Sequence, residues 1–458
     1  LEGYGVRTVE QLEIEKRWRH LPGKMNLAAP VGMMSGGRVF ALDGYDASKN
    51  LDSHGAHGLV AGTTGSGKSE FLQSWILAMA VNYPPHLVNF ALIDYKGGGM
   101  SQDFRGLPHL VGEATDISAG IDRALEAFRS ENEKREIIFN KYQVKDWEEY
   151  YERHQRGLIP EIVPHLFIIV DEFAELKTER VECIKDFISI ARIGRSLGVH
   201  LLLATQTPSQ SVTEEIRNNS NFKICLKMQN GGESRGVIGT NDAAQIRNAG
   251  RGYVKIGEDG LYEMFQSFWC GAPYYCDRKT EGRNINRVRI VETDGTRLRV
   301  LQSDKNTEKS DVKEIQAVVK HIRETADRLG LPKMKELWMP ELESEIILDS
   351  LRKRKGFRMH QWEESENWLR LPIGKYDSPA TQSQGIQYLD FSEGGHLAVY
   401  GAPQTGKTTF LKTILYSACL HFRPDELVMY AIDGGTGVLK AFEQMPHVGG
   451  IVKATEAD

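Results

Sequence analysis

Two copies of one eight-residue pattern constrain this chain more than any other feature. Gly62-Thr63-Thr64-Gly65-Ser66-Gly67-Lys68-Ser69 and Gly401-Ala402-Pro403-Gln404-Thr405-Gly406-Lys407-Thr408 both read Gly-x-x-x-x-Gly-Lys-[Ser/Thr]. Each follows a short apolar run, at residues 58–61 and 397–400, and the first precedes a helical pattern with Phe71, Trp75, Leu77, Ala78 and Val81 apolar. Strand, glycine-rich turn and helix is the setting in which this pattern cradles phosphate. Glycines let consecutive N–H groups converge on phosphate oxygens, and the helix start adds unpaired donors and the positive end of its dipole. At average residue frequencies the pattern arises by accident on the order of a few hundredths of a time in such a chain. Two accidents in the same setting are not credible.

The duplication extends beyond the loops. Asp94 lies 32 residues after Gly62, and Asp433 lies 32 after Gly401. Leu107-Pro108-His109-Leu110-Val111-Gly112 returns as Met445-Pro446-His447-Val448-Gly449-Gly450, and Pro30-Val31-Gly32 as Pro372-Ile373-Gly374. Apolar runs at 87–94, 166–172, 199–206 and 222–226 alternate with helical patterns, and 252–256 with 261–269 reads as a terminal hairpin. The expected fold is therefore α/β: tandem P-loop modules with mostly parallel sheets, the second truncated. Expected boundaries are a lead-in at 1–27, module one at 28–270, a mixed linker at 271–365 and module two at 366–458. The linker holds one amphipathic helix near 311–329 and a charged run at 352–355.

Composition narrows the class. The 458 residues, 26% charged and 40% hydrophobic, suit a globular protein of two or three domains. A formal net charge of -5 gives no global attraction to nucleic acid. Five cysteines match no common zinc pattern and read as reduced thiols, and no apolar run is long enough to span a membrane. The chain begins at Leu1 with no signal peptide and ends at Asp458 soon after the second loop, so it reads as a piece of a longer protein.

The chemistry follows from the spacing. Residues 62–69 and 401–408 would hold ATP, Lys68 reaching the β- and γ-phosphates, with Ser69 and Thr408 as Mg²⁺ ligands. Asp171-Glu172 ends an apolar run, so Asp171 can hold Mg²⁺ and Glu172 can take a proton from attacking water; solvated acids capping a strand are the alternative. Gln206, after the fourth run, can sense the γ-phosphate, or be a hydrogen-bonded structural glutamine. Asp94 and Lys96 either serve the site or pair with each other. Among Arg123, Arg129, Arg135, Arg192 and Arg195, Arg123 is the candidate arginine finger with Arg195 next, a surface salt bridge being the alternative for each. His54, His57, His109 and His200 read as structural.

These residues resemble a known family. The first loop, Ile93-Asp94-Tyr95-Lys96-Gly97-Gly98, Leu107-Pro108-His109, Val170-Asp171-Glu172-Phe173 and residues 192–206 together resemble the FtsK/SpoIIIE motor ATPases. The Tyr95-Lys96-Gly97-Gly98 variant, the tandem modules and Arg251-Gly252-Tyr253-Val254-Lys255 are similar to the EssC/EccC branch, the ATPases of type VII secretion. The resemblance implies RecA-like modules that hydrolyse ATP with Mg²⁺ and work as a homo-hexamer at the cytoplasmic face of the cell membrane. It also implies contact with other subunits of the secretion membrane complex and export of small helical-hairpin (WxG-class) proteins. A DNA translocase of the same superfamily, or a nucleotide-gated docking platform without turnover, are the other readings.

Overall fold

The computed structural model describes residues 1–20, 26–46, 53–94, 99–115, 119–257, 260–274, 288–291, 297–301, 312–351, 368–435 and 437–453. The chain divides into two compact units, Leu1–Trp338 and Met339–Asp458.

The first unit is built on ten strands: β1 Ala28–Met34, β2 Val39–Asp43, β3 Gly58–Ala61, β4 Val88–Asp94, β5 Leu110–Ala114, β6 His165–Asp171, β7 Val199–Thr205, β8 Phe222–Leu226, β9 Arg251–Ile256 and β10 Tyr262–Ser267. They form one sheet in the order β2-β1-β10-β9-β8-β3-β7-β6-β4-β5. From β8 to β5 every pairing is parallel, and from β8 outward to β2 every pairing is antiparallel. Residues of β4, β6 and β7 are buried at every position, as parallel strands covered on both faces must be. Its helices are α1 Ile14–Arg19, α2 Lys68–Asn82, α3 Ala119–Tyr142, α4 Trp147–Gln155, α5 Phe173–Glu179, α6 Val181–Gly194, α7 Pro208–Ser211, α8 Glu214–Asn219 and α9 Gly231–Ile238. One apolar core joins α1, α2 and α4 to Phe90 and Phe167 on one sheet face; the other joins α3, α5 and α6 to Ala91, Ile93 and Val170 on the opposite face. Pro84 and Pro85 follow the C-cap of α2 at Tyr83 and stop the helix.

The unit reaches past the boundaries drawn from the sequence. Two short strands, β11 Val288–Val291 and β12 Arg297–Leu301, pair antiparallel. Helix α10 Glu314–Arg328 buries Ile315, Val318, Val319 and Ile322 in the same core as α2, together with Leu12, Ile14 and Trp18 from the expected lead-in. Farther on, Leu337 N–H donates to Val111 O, and the Trp338 ring lies over Gly112, where a Cβ would stand 2.5 Å from it. Phe128 meets that ring edge-on at 5.4 Å. Much of residues 1–27 and of 312–338 is thus core and edge of unit one, because their apolar faces complete it. The run at 352–355 lies outside the described residues.

The second unit repeats the first down to single bonds. Its described elements are β13 Arg370–Ser378, β14 Ser383–Asp390, α11 Phe391–Gly394, α12 Lys407–His421, β15 Met429–Asp433 and β16 Val448–Lys453. The hairpin β13–β14 shifts register between Pro372 and Gly374, as β1–β2 does between Pro30 and Gly32. His447 Nε2–H donates to Phe422 O at 2.7 Å, and His109 Nε2–H to Tyr83 O at 2.7 Å, each the C-cap of the helix after the glycine loop. One expected strand does not form: residues 397–400 have no ladder, and Tyr400 is 90% exposed. The reason is topological. In unit one β3 lies between β7 and β8, which come later in the chain, and residues 401–458 contain counterparts only as far as β5.

Buried histidines tie stability to pH. His109 is pushed down to about 4 by burial, and His57 to about 4 by burial and by the Arg195 charge. Folded values below the ordinary 6.5 mean that the unfolded chain takes up protons first. Stability is therefore full above pH 6.5 and is lost as pH falls toward 4. Each histidine withdraws about 2 kcal/mol at pH 5 relative to pH 7.5. Urea midpoints across that range should drop accordingly, and less steeply in His109→Gln; a flat profile would contradict the assignment.

Candidate functional site

The carboxyl ends of β3, β7, β6 and β4 meet along one edge of the parallel sheet, and every candidate catalytic residue except Arg123 sits on or beside them. The glycine loop leaves β3 at Ala61. Its frame is fixed by Gly62 N–H donating to Thr205 O (3.1 Å), Thr63 N–H to Lys227 O (3.0 Å) and Gly250 N–H to Ser66 O (2.7 Å). Two glycines are required here. A Cβ on Gly62 would meet Ser66 Oγ at 2.4 Å, and Gly67, at φ +94°, would bring one to 2.8 Å from Gly250 N. Gly67 caps α2, whose first N–H groups have no intrahelical acceptor.

Lys68 opens α2 and is 5% exposed. Its Nζ pairs with Asp171 Oδ1 and stands 4.0 Å from Glu172 Oε2. Asp171 ends β6, and Glu172, 3% exposed, caps α5 in the left-handed conformation (φ 56°, ψ 48°). A glutamate held there costs on the order of 1 kcal/mol, and such strain gathers at working sites. Glu172 Oε1 accepts from Gln206 N–H at 3.0 Å, and Gln206 Oε1 accepts from Thr64 Oγ1–H at 2.7 Å. Strand β7 runs between β3 and β6, so Gln206 bridges the loop and the carboxylate pair.

These residues fit a nucleotide with its divalent cation. Backbone N–H groups of the loop and helix start, with Lys68, would hold phosphates; Ser69 and Asp171 would hold Mg²⁺, which supplies charge for the phosphoryl oxygens. Among the described residues no group of three or more His, Cys, Asp or Glu could hold a metal ion. A Mg²⁺ bound through one carboxylate, one hydroxyl and substrate phosphates needs none.

The other candidates divide. Asp94 pairs in register with Asp171 and accepts from Met100 N–H at 3.0 Å; Lys96 lies outside the described residues. Arg123 is half-buried near the start of α3, which follows β5 and so begins at the carboxyl edge. Arg195 precedes β7 and lies at the opposite edge, its guanidinium bidentate on Asp46 (2.8 and 2.6 Å). Arg135 is 2% exposed and bonded to Glu131 and Leu197 O, a structural arginine. His54, His57 and His200 bond within the fold, to Asp43 N–H, Leu201 N–H and His165 with Ala56 O. Sequence reasoning missed Gly250, which braces the loop from the residue just before β9. The Gly-Arg-Gly run at 250–252 beside a predicted hairpin was its signal.

In the second unit Gln404 takes the place of Gly65 and, like it, has a positive φ (66° against 75°). Lys407 Nζ donates to its own loop at Gly401 O (2.8 Å) and Ala402 O (2.6 Å). Residues 401–458 hold no counterpart of Asp171-Glu172. Asp433 repeats Asp94: N–H groups of Leu439 and then Gly435 hold its carboxyl below the usual range.

Tandem glycine-loop modules on this α/β scaffold define a class, and the FtsK/SpoIIIE family profile matches residues 15–210 and 359–458: the chain belongs to that family. Its relatives lie in type VII secretion. It is 39% identical over 457 residues to the type VII secretion system protein EssC of Staphylococcus aureus (strain NCTC 8325 / PS 47), covering 98% of this chain and 30% of that protein. It is 37% identical over 450 residues to the ESX secretion system protein YukB of Bacillus subtilis (strain 168), covering 98% and 29%. The cytoplasmic domain of the Thermomonospora curvata type VII secretion ATPase EccC matches at TM-score 0.79 and 29% identity, over 100% of this chain and 50% of that one. The chain thus spans about 30% of the length of these curated relatives. Among the described residues no helix is long and apolar enough to cross a membrane.

Proposed function

We propose that the first unit binds ATP with Mg²⁺ and hydrolyses it, as part of the motor that drives protein export in type VII secretion. One observation carries the hydrolytic reading: Lys68, Asp171, Glu172, Gln206 and Thr64 form one bonded cluster on the glycine loop. In it Lys68 serves the phosphates, Ser69 and Asp171 the metal, Glu172 the attacking water and Gln206 the γ-phosphate. Arg123 is the proposed finger toward a neighbouring site. The second unit binds nucleotide at 401–408, with Thr408 as its metal ligand. The names of the relatives support the secretion setting; within it the proposal is a homo-hexamer at the cytoplasmic face of the membrane, in contact with other subunits of the machine, moving small helical proteins.

The test is ATP hydrolysis by the chain, alone and after induced oligomerisation, with DNA binding titrated at two salt concentrations. The account expects Mg²⁺-dependent turnover and no salt-sensitive DNA affinity. Tight salt-dependent DNA binding would return the DNA translocase, and retention of unhydrolysed ATP by assembled chains would favour a docking platform.

A further inference from the structure

We propose that the indole of Trp269 is the platform on which the base of the bound nucleotide stacks, with the nucleoside end of the site on the β8–β10 side of the glycine loop. This rests on the reading of residues 62–69 as an ATP site and adds the direction in which the nucleotide lies. The two sides of the loop differ in chemistry. Lys68, Asp171, Glu172 and Gln206, the groups suited to the terminal phosphate, lie toward β6 and β7. A triphosphate cradled along the loop with its terminal phosphate there carries its nucleoside away from them. Strands β8, β9 and β10 lie on that other side of β3. β8 runs with β3, β9 against β8 and β10 against β9. β10 therefore ends at the same carboxyl edge as β3, and residues 267–271 leave it on the loop's side of the sheet.

That segment is fastened both to the loop and to α2. Gly250 N–H donates to Ser66 O and Ser267 N–H to Gly250 O, each at 2.7 Å, which ties the end of β10 to the loop. Phe268 N–H donates to Val31 O at 3.0 Å, and Phe268 O accepts from Ser74 Oγ–H of α2 at 3.0 Å. One residue beyond Trp269, Cys270 O accepts from Ile315 N–H at 2.9 Å. Trp269 is thus held on a pinned backbone, yet it is 59% exposed and no ring stacks on it among the described residues. Its indole N–H edge converges with Glu70, the third residue of α2: a Cβ on Gly271 would stand 2.7 Å from Trp269 Nε1 and 3.0 and 3.1 Å from the two Glu70 carboxylate oxygens. A carboxylate there repels a further phosphate and leaves an uncharged ring unpenalised. Charge therefore sorts the two ends, a lysine toward the terminal phosphate and a glutamate toward the nucleoside. The indole adds a broad, rigid face, and stacking on it does not depend on the base's hydrogen-bonding pattern.

The test measures binding to the whole chain with Mg²⁺ by calorimetry, in the wild type, Trp269→Ala and Trp269→Phe. The probes are a non-hydrolysable ATP analogue, ADP and inorganic triphosphate. The expected result for Trp269→Ala is a loss of about 5- to 100-fold for the ATP analogue and ADP alike, the worth of one stacked base. Inorganic triphosphate, which carries no base, should bind Trp269→Ala within twofold of the wild type, and Trp269→Phe should recover most of the nucleotide affinity. Tryptophan emission is the second readout. Both nucleotides should quench it in the wild type, the quench should fall by at least half in Trp269→Phe, and inorganic triphosphate should leave it unchanged. Equal weakening of inorganic triphosphate in Trp269→Ala would make the indole a prop for the loop and overturn the proposal, as would failure of Phe to rescue. Should Trp269→Ala melt early, the emission of Trp269→Phe still decides: a quench equal to the wild type's would overturn the proposal. If the wild type binds no nucleotide, the ATP reading falls and this proposal with it. If it binds both nucleotides and Trp269→Ala matches it, the proposal alone fails.

Discussion

If the first unit hydrolyses ATP as proposed, replacing Glu172 by Gln is expected to lower turnover by about 100-fold to 10,000-fold, the range a positioned general base supplies, while nucleotide still binds. Glutamine fits the same space and keeps the Oε1 acceptor that takes Gln206 N–H, so the turn at φ 56° survives. What disappears is the carboxylate that can accept a proton from water. Removing one of two acids beside Lys68 also relieves repulsion between them, so the folded state is not weakened. Single-turnover hydrolysis with saturating ATP checks the expectation. Turnover within threefold of wild type would move the base elsewhere, and loss of binding would show a structural role instead.

Replacing Lys68 by Ala has two large consequences of different origin. Asp171 and Glu172 are 8% and 3% exposed, and Lys68 is a cation placed against both. Taking the cation out of a buried ion cluster costs about 3–5 kcal/mol, because two buried carboxylates lose a countercharge rather than because the pair itself was strong. Separately, the loss of a charged donor to phosphate weakens ATP binding about 10- to 100-fold. Lys407→Ala is the control: that side chain bonds only to its own loop carbonyls, so unit stability should change by less than about 0.5 kcal/mol. Urea unfolding of the three proteins reads the first consequence and calorimetry the second. Equal stabilities for Lys68→Ala and Lys407→Ala would mean the carboxylates are not held by the lysine.

The parts of this site legible in the sequence are those that local patterns encode. The glycine loop, the buried strands and the acids that end β6 are written in runs of a few residues, and they lie where those runs place them. The duplication was legible too, and the paired His109 and His447 bonds show that it is physical. What was not legible depends on strand order and on distant packing. Nothing local says that β7 separates β3 from β6, which puts Gln206 against both Thr64 and Glu172, or that Gly250 braces Ser66 across the sheet. The left-handed turn at Glu172 is set by its neighbours, since glutamate has no preference for it. Likewise α10 looked like part of a linker because its amphipathic stripe does not name the face it covers.

On the proposed function the triphosphate enters at residues 62–69 and is gripped by Lys68. Calorimetric titration of ATP with Mg²⁺ into the wild-type chain, Lys68→Ala and Lys407→Ala tests it most directly. The account predicts saturable binding in the wild type, loss of one site of at least tenfold weaker affinity in Lys68→Ala, and retention of that site in Lys407→Ala. Binding that ignores the Lys68 substitution would contradict it.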